Sequence, residues 1–417
     1  NIKIKTLGST IIYKKEKINL ESIATSISVF DLLKNNFTSS NFKVSTKPIN
    51  IKDLVSLLRA IKKDLKFLVL EKMIDRGVLI ANIEFELNQN GTLKNNYIIK
   101  GLIKDGGIKL LNKKEIKNID LNFEVNNKSS KIRNLKLSYD KIKFVSEKIS
   151  ITNFKDYFLI KGQIQNNLLS LSQKDIKELI NFRNDLMLDN LEFSSNNDFS
   201  FEIDKKIKFK NLKFKSSFNI KNLSINHNYN LKEYLPDLNK EINLKDHTLI
   251  FDFKENNLLV DGRGKIKIQN ELEEIKNFIN KKKNDWFFET RLDLKKSPII
   301  IDFLNFEKKD ESELTLVFKG NYLNNKGYNI SSISLKDKSN IFELDNIILD
   351  KNFKIFSINS ANFNYLDRNG EKNILSLKKK SNDYKIIGKQ LNAIKIIDDL
   401  LFEDSEGKNN YFSKNFN

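Results

Sequence analysis

Apolar residues recur at every second position through most of the chain. Phe199, Phe201 and Ile203 alternate with polar residues, as do Leu212 and Phe214, Phe218 and Ile220, Leu249, Phe251 and Phe253, and Ile266 and Ile268. The pattern returns at Phe288, Leu292 and Leu294 and again at Leu314, Leu316 and Phe318. A period of two places successive side chains on opposite faces, so each stretch reads as a strand with one apolar and one polar face. Clusters such as NQNG at Asn88–Gly91, ENN at Glu255–Asn257 and NNKG at Asn324–Gly327 separate the strands and suit hairpin turns. Connections this short let neighbouring strands pair antiparallel, and the expected fold is a mainly β meander with a few helices.

Helical spacing interrupts the alternation in three places. Residues 51 to about 74 put Ile51, Leu54, Val55, Leu58, Ile61, Leu65, Leu68 and Val69 on one stripe, with Asn50 as N-cap and Asp53 in the first turn. A second helix is predicted from Gln173 to Met187, opened by Ser172 with Asp175 three residues on. The third covers Ala393–Phe402, and a weaker helical stretch falls near Glu271–Lys281. A short apolar strand closing on glycine also recurs, as YIIKG, FLIKG, LLVDG, LVFKG and YKIIG ending at Gly101, Gly162, Gly262, Gly320 and Gly388. The intervals of 61, 100, 58 and 68 residues suggest a unit of roughly 60 residues and an extended array. Soft divisions follow at 1–75, 76–190, 191–285 and 286–417.

A sheet with one continuous apolar face must cover that face with a second sheet, with helices or with a ligand. The few helices are too narrow for the task, so the sheet either folds on itself as a sandwich or curves into a groove. The pattern alone favours the closed core. Candidate lining residues are Phe214, Phe218, Ile220, Phe251, Phe253, Val260, Ile266, Ile268, Phe288, Leu292, Leu316 and Phe318, and a dry core explains each of them as well as a groove does.

Composition removes many other functions. The 417 residues carry a formal charge of +19, but only seven of the 73 basic residues are arginine, and lysine alternates along strands as in KIKFKNLKFK at Lys206–Lys215. Dispersed lysine reads as a solvated sheet face rather than a nucleic-acid site, though it also suits anionic lipid headgroups. The absence of cysteine excludes disulfides, thiolate zinc and thiol catalysis. His227 and His247, the two histidines, lie in polar turn-like sequence, and the pairs Glu273–Glu274 and Asp398–Asp399 fall on predicted helices as solvated charges. GRG at Gly262–Gly264 leads into another strand, so no helix N-terminus follows to hold phosphate. Trp286 reads as an ordinary strand residue. No catalytic group, metal site or cofactor is expected. Lysine in most strands also argues against a transmembrane barrel. No run approaches 18 apolar residues, and a start at Asn1 without methionine suggests a fragment whose membrane anchor, if it has one, lies elsewhere.

The segment MIDRGVLIANIEFELNQNGTLKNNYIIKGLIKDGGIKL at Met73–Leu110 follows a long helix with a glycine turn, a strand, a polar hairpin and a strand closing on glycine. It resembles the opening of the AsmA-like repeat domain of large proteobacterial envelope proteins of the YhdP and TamB kind. TLIFDFKENNLLVDGRGKIKI at Thr248–Ile268 repeats the hairpin, and YKIIGKQLNAIKIIDDLL at Tyr384–Leu401 is similar to the family's closing strand and short helix. The resemblance implies a taco-like β groove with an apolar interior in the periplasm, belonging to a parent anchored in the inner membrane of a Gram-negative bacterium. It implies non-enzymatic, bridge-like passage of phospholipid toward the outer membrane, with possible outer-membrane contact and no nucleic-acid partner.

Overall fold

The computed structural model describes residues 2–397 except 14–15, 28, 34–40, 62–64, 89–93, 111–113, 180–186, 309–311, 324–326, 350–354, 382 and 395–396. The chain is mainly β, and its strands form one long antiparallel meander sheet that is not closed into a barrel. The one other sheet among the described residues is a two-residue ladder of Ile300–Ile301 with Phe306–Glu307. The expected meander is therefore present. By compactness the chain divides into two units, one of Asn1–Leu169 with Ser194–Ser216 and one of Ser170–Phe193 with Ser217–Asn417.

In the first unit, the helix Ile51–Ile61 packs on the strand Ile74–Glu86. Asn50 caps it as expected, its Oδ1 accepting the Lys52 N–H at 2.9 Å. The buried stripe is offset from the expected one, since Val55 and Leu57 are buried while Leu58 and Val69 are exposed. A second helix, Leu65–Met73, leads directly into the strand at Ile74. Close approach of helix and sheet explains Gly77, which adopts a φ of 139° and leaves only 2.8 Å between a hypothetical Cβ and Ile51 Cδ1. The successive strands Ile98–Lys109, Glu115–Asn126, Ser129–Tyr139, Ile142–Asn153 and Tyr157–Leu171 pair as a meander around buried Ile119, Leu135 and Ile149.

The recurring glycines do not end their strands, which is a correction to the sequence reading. Gly101 and Gly320 lie within Ile98–Lys109 and Leu314–Leu323. A Cβ on Gly101 would lie 2.6 Å from the Phe123 ring, and one on Gly320 would lie 2.4 Å from the Phe288 ring. An aromatic side chain from the neighbouring strand thus lies across the glycine and fills the space a side chain would take. Gly388 departs from this pattern, its nearest neighbour being the Ile374 carbonyl at 3.8 Å.

In the second unit the meander runs from Glu241–Lys254 through Asn257–Lys267, Leu272–Lys282, Asp285–Leu294, Leu314–Leu323, Gly327–Lys336, Ile341–Leu349, Ile355–Leu366 and Lys372–Lys380 to Asp383–Gln390. The ENN turn is a two-residue hairpin loop, with φ of 53° at Glu255 and 64° at Asn256, the positive values that match the twist of paired strands. The weak helix near Glu271–Lys281 is overturned, because those residues form a strand paired on both sides. Glu273, Ile275, Asn277 and Ile279 share one face there, and ladder pairing with both neighbours outweighs a marginal helical spacing. The helix expected to reach Met187 is described only as Gln173–Leu179, and Met187 begins a strand. Ser172 and Asp175 form the predicted box, Ser172 Oγ donating to Asp175 Oδ2 at 2.7 Å. Of the C-terminal helix only the bond from the Ile397 N–H to the Ala393 carbonyl is seen, and most of Ala393–Phe402 lies outside the described residues.

Candidate functional site

Register places the candidate side chains of the second unit on one face of its sheet, in rows that cross the strands. Nearest the hairpin turns, Phe253, Leu258, Lys281, Trp286 and Tyr322 are successive partners. The next row is Phe251, Val260, Ile279, Phe288, Gly320, Ile330 and Ile347. The third contains Leu249, Gly262, Asn277, Thr290, Phe318 and Ile333. The fourth contains Gly264, Ile275, Leu292, Leu316, Leu335 and Phe342. Alternation along each strand thus becomes an apolar surface many strands long, as period-two sequence requires.

Its two ends differ. At the fourth row the face is sealed by the segment between Leu294 and Leu314, which brings Ile299, Leu304 and Phe306 onto Ile266, Ile275, Leu292, Leu314, Leu335, Phe342 and Tyr365. Leu314 is fully buried and Phe306 is 1% exposed. Polar bonds lock this cover. Tyr365 Oη donates to the Leu304 carbonyl at 2.9 Å, Gln269 Nε2 donates to the Pro298 carbonyl, and Arg368 reaches both Asp302 and Glu307 at 3.0 Å. Burial pushes the Tyr365 hydroxyl up to about 12, with the Asp367 carboxylate adding to the effect.

Ile266 and Leu292 therefore belong to a dry core, and Ile268 and Leu316 pack against it half-buried. Phe251, Phe253, Phe288 and Phe318 lie in the other rows and stay half-buried, while Val260 is buried. Phe288 and Phe318 stack with centroids 5.6 Å apart. On the strand Phe209–Asn226, Phe214 is half-buried in the first unit. Phe218 and Ile220 fall in the second, Phe218 stacked on Phe193 at 4.6 Å and Ile220 buried.

The titratable groups do structural work that sequence reading missed. Glu273 is 2% exposed rather than solvated, and its carboxylate accepts the N–H groups of Lys295, Lys296 and Ser297 at 2.8–2.9 Å. Burial would push this carboxyl up, but the three donors outweigh it and the carboxyl lies below its usual value. His247 is not in a turn. It sits at a bulge between Lys245 and Thr248 with its ring over Gly262 and Gly264, 1% exposed, and burial holds its imidazole below the usual value. The GRG motif is thus the small-residue bed of a buried histidine. His227 bonds through Nε2 to the Asn239 carbonyl, and its Nδ1 accepts the Tyr229 N–H. Asp398–Asp399 lies outside the described residues.

Among the described residues no three His, Asp or Glu side chains are grouped as a metal site would need, and no helix is long and apolar enough to cross a membrane. A concavity of about 1360 Å³ is lined by Arg291, Thr315, Lys319, Ser334, Lys336 and Glu343 of the opposite face, with Phe306, Val317 and Ile333 also contributing. Its charges largely cancel, with Lys336 bonded to Glu343, Arg291 to Asp293 and Lys319 to Glu289. Compared with protein-family models, characterised proteins and solved structures, the chain gives no match.

Proposed function

We propose that the chain is a segment of a bridge-like lipid-transfer protein of the bacterial envelope, of the AsmA-like repeat kind that its sequence resembles. Acyl chains lie along the apolar face, which acts as the wall of a groove, and no bond is made or broken. One observation carries the reading. The rows through Phe251, Phe288 and Phe318 run across many strands with large aromatic side chains that stay only half-buried, although the adjoining fourth row is sealed by its own loop. Each buried CH₂ of an acyl chain contributes about 0.8 kcal/mol, so even a shallow apolar strip holds a long chain without any single dominant residue.

In this reading the chain works in the periplasm of a Gram-negative bacterium, with the parent anchored in the inner membrane and the cargo passing toward the outer membrane. Phospholipid is the partner, and nucleic acid is not. The purified chain should carry several phospholipids by native mass spectrometry, identified after organic extraction with detergent controls. Phe251→Asp should lower that occupancy more than it lowers the unfolding midpoint. A lipid-free chain that melts cooperatively would favour a second reading, a structural or adhesive envelope protein with a dry core. The sealed cluster around Phe306 and Leu314 supports that alternative locally.

A further inference from the structure

The row nearest the turns breaks the apolar character of the face at one point. Lys281 projects there between Leu258 and Trp286, its register partners, on the face that carries Ile275 and Ile279 further along the same strand. Its Nζ lies 4.8 Å from the centroid of the Trp286 ring, within the range of a cation–π contact. On the opposite face Lys319 pairs with Glu289 and Arg291 with Asp293. Lys281 has no carboxylate partner among the described residues. One step inward lies the fully apolar pair Ile279 and Phe288.

A cation and an indole bordering an apolar strip reproduce the order found at a lipid–water boundary, where amphipathic rings and lysine sit at headgroup level. From Lys281 inward to Asn277 the face extends four residues, roughly 13 Å at the rise of a strand. That leaves room for acyl chain beside the cation rather than beneath it.

We propose that Lys281 and Trp286 form a seat for the phosphate of a lipid headgroup, with the lipid's acyl chains on the strip through Val260, Ile279 and Phe288. The seat rests on the lipid reading above and adds an orientation to it, with phosphate at the turn end and hydrocarbon toward the sealed end. Charge complementarity selects the occupant. The Lys281 ammonium, which no described carboxylate neutralises, meets a phosphate, and Trp286 covers the first carbons beyond it.

Trp286 is the only tryptophan, so its emission reports on this seat alone. Full-length chain is titrated with phosphatidylglycerol vesicles whose acyl chains are dibrominated near the glycerol, and quenching is followed. Quenching should occur in the unaltered chain and weaken about fivefold in apparent affinity in Lys281→Gln, the size expected for one lysine at an anionic lipid surface. Lys282→Gln removes the same charge from the opposite, exposed face and should leave quenching unchanged. Equal loss in both variants, or none in Lys281→Gln, would overturn the seat and leave lipid binding standing. Absence of quenching together with lipid-free mass spectra would overturn the lipid reading itself. If glycerol phosphate alone shifts Trp286 emission as the vesicles do, the site takes a small free anion and the lipid seat is wrong.

Discussion

Leu292 and Phe288 stand four residues apart on one strand and one face, yet they occupy different environments. Leu292 is sealed beneath the segment that carries Leu304 and Phe306, whereas Phe288 touches its neighbours in the sheet and stays half-buried. The strands are the same in both places, so strand sequence does not decide which part of the face is dry. The loop inserted between two consecutive strands decides it, and the loop is held by polar groups, namely Glu273, Gln269, Tyr365 and Arg368. A sheet of this kind can keep an apolar strip open only where no connection is long enough to fold back over it.

The largest effect that would break the comparison is at the sealed end. Phe306→Ala should cost about 3–5 kcal/mol in urea unfolding, the range for truncating a buried phenylalanine, while Phe251→Ala should cost clearly less. Equal losses would mean that the strip is as tightly packed as the core. Gly320→Ala should cost about 1–3 kcal/mol, because its Cβ would meet both the Phe288 ring and the Asn329 carbonyl, which lies 2.8 Å away. Gly388→Ala meets nothing closer than 3.8 Å and should be nearly neutral, which differential scanning calorimetry of the two variants would resolve.

Glu273→Gln should cost about 1–3 kcal/mol at neutral pH, since charge-assisted bonds to three N–H groups become weaker neutral ones. The folded carboxyl lies below its usual 4.5, so its contribution is complete above that value and is lost as pH falls through the depressed folded value. Acid unfolding should consequently be shallower in the variant. The smallest effect concerns His247. Its folded value lies below 6.5, so the unfolded chain binds the proton more readily and stability falls as pH drops below 6.5. The slope from this group is at most about 1.4 kcal/mol per pH unit, and His247→Leu should remove it from urea midpoints measured between pH 7.5 and 5.5.

Period-two alternation was enough to read the meander and the shared face of Phe251, Val260, Phe288 and Phe318, because both follow from local geometry. The cover was not legible. Its residues, KKSPIIIDFLNFE, have no strand-length alternation, and their burial depends on a hydroxyl and a guanidinium from residues 365 and 368. Glu273 was misread for a related reason. A carboxylate in a strand looks solvated until the backbone that turns toward it is known. The glycines announced themselves as a repeat, but the role of Gly101 and Gly320 came from phenylalanines on neighbouring strands. His247 looked like a turn residue because a bulge, which shifts register without changing composition, carries it inward.

Nearly every strand in the second unit pairs with the one just before or after it in sequence, so the ladder closes short loops and should assemble progressively. The bond from Tyr365 to Leu304 is an exception, joining residues 61 apart. During synthesis the strands through Leu323 can pair while Phe306 still lacks Phe342 and Tyr365 as neighbours. Sealing is therefore a late event in the life of the chain, and a nascent chain that stops short of residue 365 carries an unlatched apolar loop that invites capture by another surface.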